Sequence, residues 1–224
     1  MILEGKNINK SYITSVENIS VLNNLNIAIK KREIVVVKGP SGAGKSTLLN
    51  ILGTIDLPDD GEIVIDGEKI DFTKDMSNIR ARKLGFVFQH HHLLPEFTVM
   101  ENLTIPQTLI GKTKVEAVEI ASNLLDKLGL LNRGMHYPSQ LSGGEKQRIA
   151  IIRAVVNSPL ITLADEPTGN LDSKNSKILL ELILELRDKM GLSYIIASHD
   201  ETVAKIADRV LLLNSGNFMK STRI

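Results

Sequence analysis

Cysteine is absent from the chain, which removes disulfides and thiolate catalysis and agrees with a reducing compartment, the cytosol being the simplest. A charge bias is missing too. Lys and Arg total 27 against 26 Asp and Glu, a balance of +1, so no overall basic field draws the protein to nucleic acid. Nor is there a long apolar run. The start, MILEGKNINKSY, lacks the apolar centre of a signal peptide, and the most apolar later stretch, Ile178 to Leu186, is interrupted by Glu181 and Glu185. No membrane span is expected. Without an internal repeat, a low-complexity tract or a long linker, neither a fused second domain nor a disordered tail is suggested.

What is present is the composition of a folded protein, with 42% hydrophobic and 24% charged residues in 224, enough for one domain with a subdomain. Glu33 to Lys38 is a β-branched run that enters a glycine-rich loop, and Lys45 to Leu52 then has the apolar content of a helix. Similar runs at Leu84 to Phe88, Leu160 to Ala164, Tyr194 to Ala197 and Val210 to Leu213 alternate with helical patterns, which predicts a mainly parallel α/β sheet. In Glu62 to Ile70, Asp66-Gly67 separates two apolar stretches as a hairpin turn does, so an antiparallel piece is expected to join the sheet near the N-terminus. Between Gln89 and about Asn157 the strand signal vanishes, while Lys114 to Leu128 and Ser142 to Val156 keep helical spacing. A helical subdomain over 89–157, inserted into an α/β core of 1–88 and 158–224, is the expected organisation.

Gly39-Pro40-Ser41-Gly42-Ala43-Gly44-Lys45-Ser46 has the glycine, four-residue, Gly-Lys-Ser form of a phosphate-binding loop. Glycines let the backbone curl so that successive amides, through Ser46 and Thr47 at the start of the helix, face the phosphates of a nucleotide. Lys45 then reaches the β- and γ-phosphates, and Ser46 ligates Mg²⁺. By chance such a string arises in roughly one chain in a hundred of this length; its place between a strand and a helix makes the accident rarer still.

Leu160 to Ala164 leads into Asp165-Glu166, two carboxylates at the end of an apolar strand, where α/β sheets collect ligands. Acidic residues also end strands routinely at solvated loops, but beside a phosphate loop they acquire distinct roles. Asp165 holds Mg²⁺ directly or through water, and Glu166 orients and deprotonates the water that attacks the γ-phosphate. Leu141-Ser142-Gly143-Gly144-Glu145 opens a helical stretch with the Ser142 and Glu145 spacing of a capping box. Two adjacent glycines exceed what a cap requires, and they expose amides at the positive end of the helix as a second anion site.

With that motif the sequence resembles the ATP-binding subunits of ABC transporters over nearly its whole length, with six motifs in the family order. The signature matches Leu141 to Glu145, Gln89 stands at the Q-loop, Gly169-Asn170-Leu171-Asp172 matches the D-loop, and His199 falls at the switch histidine. The resemblance implies a P-loop NTPase core of the RecA-like kind, ATP and Mg²⁺ as ligands, and a homodimer that sandwiches two nucleotides. Lys45, Ser46, Gln89, Asp165, Glu166 and His199 would act in cis, Gln89 also near Mg²⁺, while Ser142, Gly143 and Gly144 would reach ATP on the second copy; Asp172 counts with the nucleotide-binding set. Tyr12 lies where the family places an aromatic ring against adenine, although the interval Ile13 to Val21 shifts that ring in one reading.

The commonest signature ends in Gln, and this chain has Glu145, a tolerable change because Glu also serves as the cap partner. His90-His91-His92 is no metal site by pattern: adjacent side chains diverge, and no carboxylate or cysteine follows at ligand spacing. The segment runs on through Leu93-Leu94-Pro95-Glu96-Phe97-Thr98-Val99-Met100-Glu101-Asn102-Leu103, which looks like the lipoprotein-releasing ATPases. Macrolide-efflux and cell-division ATPases share Ala164 to Asp172 in form. In that subfamily the segment lies beside the cleft for a coupling helix of an integral membrane permease subunit, which places the chain peripherally on the cytoplasmic face of the inner membrane. A nucleotide-gated scaffold is the competing expectation from another class. An ATPase acting on nucleic acid would carry a coiled-coil insertion, a second cassette or a basic surface, and the sequence has none of these.

Overall fold

The computed structural model describes residues 1–13 and 17–222; Thr14 to Val16, within the interval Ile13 to Val21, lie outside the described residues. Two long strands, β1 (Leu3–Ile13) and β2 (Asn18–Ile29), come first, followed by β3 (Ile34–Lys38) and α1 (Lys45–Leu52). Next are β4 (Asp60–Ile65), the short β5 (Glu68–Lys69), α2 (Ser77–Lys83) and β6 (Leu84–Val87). Three helices follow, α3 (Val99–Leu109), α4 (Lys114–Lys127) and α5 (Gly143–Val155). The chain closes with β7 (Ile161–Asp165), α6 (Ser173–Met190), β8 (Ser193–Ala197), α7 (Glu201–Ala204), β9 (Arg209–Asn214) and β10 (Asn217–Thr222).

Six strands form one sheet in the order β10-β9-β3-β8-β7-β6, parallel from β9 to β6 with β10 antiparallel at the edge. These are the five apolar runs anticipated from the sequence, each within a residue or two, plus one edge strand. Asp66 and Gly67 both take positive φ, 57° and 79°, as a two-residue hairpin between β4 and β5 requires. The antiparallel piece, however, does not join the parallel sheet. β2-β1-β4-β5 is a separate sheet, and α1 lies between the two.

Burial explains that arrangement. Leu48, Leu49, Ile51 and Leu52 of α1 are all within 4% of full burial, so the helix is apolar on more than one side and needs cover from two directions. Leu3, Ile8, Ile27, Ile29, Ile63 and Ile65 supply it from the antiparallel sheet, and Val35, Val37, Leu163 and Ile195 from the parallel one, in a single core. Alternate residues of the same parallel strands, Ile34, Val36, Ala164, Tyr194 and Ile196, point to the opposite face and pack with α6, the two-residue period of a strand covered on both sides.

A third core joins α3, α4 and one side of α5 through Leu103, Ala121, Leu125, Ile149 and Ile152. The remaining side of α5 carries Ile151 and Val155 into the core under α6, so this helix belongs to both layers. α3 is not legible from periodicity because Pro106 interrupts it, yet Thr98 and Glu101 form a complete capping box at its start. Replacing Ile51 with Ala should lower the free energy of unfolding by about 2–5 kcal/mol, the range for deleting a fully buried branched side chain. Urea denaturation of the two proteins measures it.

Candidate functional site: a nucleotide cleft

Strand β3 runs into the loop from Gly39 to Gly44 between two backbones. A Cβ on Gly39 would stand 2.2 Å from the Leu213 carbonyl oxygen of β9, and one on Gly44 would stand 2.9 Å from that of Val21 in β2. Gly44 also holds φ at 99° as the N-cap of α1, a conformation that L side chains avoid. Only glycine fits either place. Lys45 folds back so that Nζ donates to the carbonyls of Gly39 at 2.8 Å and Pro40 at 3.0 Å, which sets its positive charge inside the curl of the loop.

The loop is one wall of a cleft of about 740 Å³. Gly39, Ser41, Gly42, Gly44, Lys45, Ser46 and Thr47 line it on one side and Gln89, Asp165, Glu166 and His199 on the other. Asp165 and Glu166 are delivered by the C-terminal end of β7, and His199 follows β8, which pairs in parallel with it. Position at the carboxyl ends of neighbouring parallel strands thus gathers residues far apart in sequence.

Burial, reinforced by the adjacent Glu166 charge, lifts the Asp165 carboxyl above the usual range against the pull of neighbouring Ser46 and Lys45. An oxygen pair of this kind suits a hard divalent cation, with Gln89 at the same wall. Glu166 sits at a φ of +44°, unusual for a non-glycine residue and found where function fixes the backbone. Its amide donates to the Ala197 carbonyl at 2.9 Å. One carboxylate oxygen lies 2.9 Å from Nδ1 of His199 and the other accepts from the Ser198 hydroxyl at 3.3 Å. The carboxylate is therefore aimed by two groups of the loop after β8.

Several expected ligands lie elsewhere. Ala43 is buried behind the loop. Tyr12, on β1, does not line the cleft; its hydroxyl donates to Asp56 at 2.7 Å, its ring is 41% exposed, and Lys10 Nζ stands 5.1 Å from the ring centre. Burial and the Asp56 bond raise its phenol above the ordinary value, against the pull of neighbouring Thr47, which does line the cleft. Ser142, Gly143 and Gly144 also lie outside it. Ser142 caps α5, with its hydroxyl and amide both donating to Glu145 at 2.8 Å, and Ser142 and Gly143 are exposed.

Asp172 caps α6 instead of facing the cleft, accepting from the Asn175 amide at 2.7 Å and its side-chain nitrogen at 2.9 Å. That same Asn175 explains the second signature glycine. A Cβ on Gly144 would lie 2.2 Å from its Oδ1, whereas one on Gly143 would meet nothing within 4 Å. Asn170, in the loop before α6, donates to the Gln89 carbonyl at 3.3 Å, so that loop touches the Q-loop while the first turn of α6 meets the signature helix.

Two outcomes follow from this geometry. Gly44→Ala should fold with a displaced loop and lose nucleotide binding, read by titrating a fluorescent ATP analogue. Asp165 should behave as a strained carboxylate: its folded pKa stands above the unfolded 3.8, so the ionised form destabilises the fold above that range and the penalty fades as pH falls through it. Asp165→Asn is expected to raise the melting temperature of the nucleotide-free protein at pH 7, with the gain vanishing near pH 3.

Residues 22–169 match the family model described as ABC transporter. The chain is 46% identical over 220 residues to the lipoprotein-releasing system ATP-binding protein LolD of Bacteroides thetaiotaomicron, covering 97% of this chain and 98% of that one. It is 49% identical over 218 residues to the LolD protein of Porphyromonas gingivalis, covering 96% and 98%. Among solved structures it superposes on a dimeric bacterial ABC transporter cassette with a TM-score of 0.90 at 38% identity, over 99% of this chain and 98% of that one. A dimeric post-hydrolysis state of an ATP-binding cassette bound to ADP and Pi gives 0.89 at 38% identity and the same coverage. With the phosphate loop, the acidic pair and the histidine converging on one cleft, the chain belongs to the ABC transporter family.

Proposed function

We propose that this chain is the ATP-hydrolysing subunit of a transporter that releases lipoproteins from the cytoplasmic membrane, acting as a nucleotide-sandwich homodimer on integral membrane subunits. The single observation behind the hydrolytic reading is the Glu166 carboxylate, held by His199 and Ser198 at the mouth of the phosphate loop. Similarity over nearly the full length to lipoprotein-releasing ATP-binding proteins supports the cargo.

In the reaction, Glu166 takes a proton from a water whose oxygen bonds to the γ-phosphorus as the bridging β–γ P–O bond breaks, leaving ADP and phosphate. His199 fixes the carboxylate for that transfer. Lys45 and the loop amides hold the phosphates where negative charge gathers. Ser46 and Asp165, with Gln89 nearby, would hold Mg²⁺, which when bound would supply positive charge to offset that of the phosphates. Ser142 and Gly143 are exposed and Gly144 is buried, all three outside the chain's own cleft; in the sandwich dimer this end of α5 would meet the nucleotide of a second copy.

No helix among the described residues is long and apolar enough to cross a membrane; in this reading separate integral subunits supply the membrane path. Leu94 and Phe97, each 40% exposed in the segment after Gln89, offer apolar contact for a cytoplasmic helix of such a subunit. Glu166→Gln should keep ATP binding while steady-state phosphate release falls by about 10²–10⁴-fold; unchanged turnover would remove Glu166 as the base. Gentle-detergent purification from the native membrane should bring along integral membrane proteins with large extracytoplasmic domains and few spans. Many-spanning importer subunits, or none, would overturn the lipoprotein assignment.

A further inference from the structure

One departure from the common signature carries a structural consequence. Glu145 uses its two oxygens on different partners. Oε2 accepts from the Ser142 amide and hydroxyl, both at 2.8 Å, and Oε1 accepts from Nε of Arg133 at 2.7 Å. The cap of the signature helix is therefore one half of an ion pair with a residue outside that helix. Arg133 is the leading cause of holding the Glu145 carboxyl down to about 2, so the pair is charged throughout the physiological range.

Arg133 is itself anchored to the partner-facing segment. The next residues run along the start of α3, where the Met100 amide donates to the Gly134 carbonyl at 2.8 Å and the Val99 amide to that of His136 at 2.9 Å. Just before α3, the loop carrying Leu94 and Phe97 is clamped by Asn102, which is 1% exposed. Its side-chain nitrogen donates to the carbonyls of Leu94, Phe97 and Thr98 at 3.1, 3.1 and 3.0 Å, while its Oδ1 accepts from the Leu94 amide at 2.8 Å. A continuous set of hydrogen bonds thus runs from that loop through Asn102 and the first turn of α3 to 134–136, then through Arg133 and Glu145 to Ser142.

We propose that Arg133 is a positioning residue that, through its ion pair with Glu145, sets the signature cap according to what is docked on the Leu94–Thr98 loop. Neither residue of the pair lines the nucleotide cleft; the pair acts on Ser142, and through it on the amides presented to a second copy. The charge is what matters. Gln at 145 would still cap the helix, but it would exchange a charge-assisted bond for a neutral one of about half the strength. This inference rests on the proposed membrane partner and on the signature acting in trans.

The test compares ATP hydrolysis by the isolated subunit with hydrolysis by the complex carrying its co-purified membrane subunits in lipid nanodiscs. R133Q should leave the isolated rate, its KM for ATP and the melting temperature near wild type. It should lower the partner-stimulated kcat by about two- to fivefold, the factor carried by a coupling the size of one partly exposed ion pair. R133K should restore most of the stimulation. E145Q should reproduce the R133Q loss, and the double variant should lose no more than either single one, the signature of a shared interaction. Full stimulation of R133Q, or additive losses in the double variant, would overturn the proposal. Equal loss in the isolated subunit and in the complex would do the same, since it would mark a support of the fold alone. Wild-type complex that shows no stimulation over the isolated subunit would instead remove the proposed membrane coupling, and this inference with it.

Discussion

The approach of two backbones to one loop is the constraint on which the rest of the molecule depends. The Leu213 carbonyl comes down on Gly39 from the parallel sheet and the Val21 carbonyl on Gly44 from the antiparallel one, leaving no room for a side chain at either end. That double approach is possible only because α1 is apolar around much of its circumference and draws a sheet to each side. The phosphate loop is thus confined at both ends by strands of the two sheets that pack on α1.

Around this loop the reacting groups come from strand ends, whose register the hydrogen-bonded ladder sets. β7 and β8 are neighbours, so Glu166 and His199, separated by 33 positions, meet at hydrogen-bond distance. The helical layer is tied on differently. α5 shares one face with each core, and loop contacts such as Asn170 to Gln89 carry the remaining links. Rigid strand ends hold the chemistry, while polar loop contacts join it to the helical layer.

How much of this was readable in the sequence follows from the range of the contacts involved. The phosphate loop, the acidic pair, the parallel strands and the Asp66-Gly67 turn are encoded in a few adjacent residues, and each lies where its pattern placed it. The separate antiparallel sheet was not legible, since strand pairing over tens of residues leaves no local mark and the alternation in β1 is broken by register shifts. α3 was hidden by Pro106, although Thr98-x-x-Glu101 marked its start. Asp172 looked like a cleft residue by motif, but its carboxylate holds the first turn of α6. Arg133 gave no signal at all, because nothing in a string of letters says that it lies against Glu145.

The close approach of Asn175 to Gly144 has a consequence for how relatives of this chain diverge. With a hypothetical Cβ at position 144 only 2.2 Å from Asn175 Oδ1, a larger residue there requires the Asn175 side chain to swing away from Asp172, to which its nitrogen donates at 2.9 Å. A lineage in which residue 175 shrinks first would relax that requirement, and descendants could then drift at 144. Order of substitution matters here: a change at 144 that follows one at 175 displaces nothing, whereas the same change made first must break the Asn175–Asp172 bond.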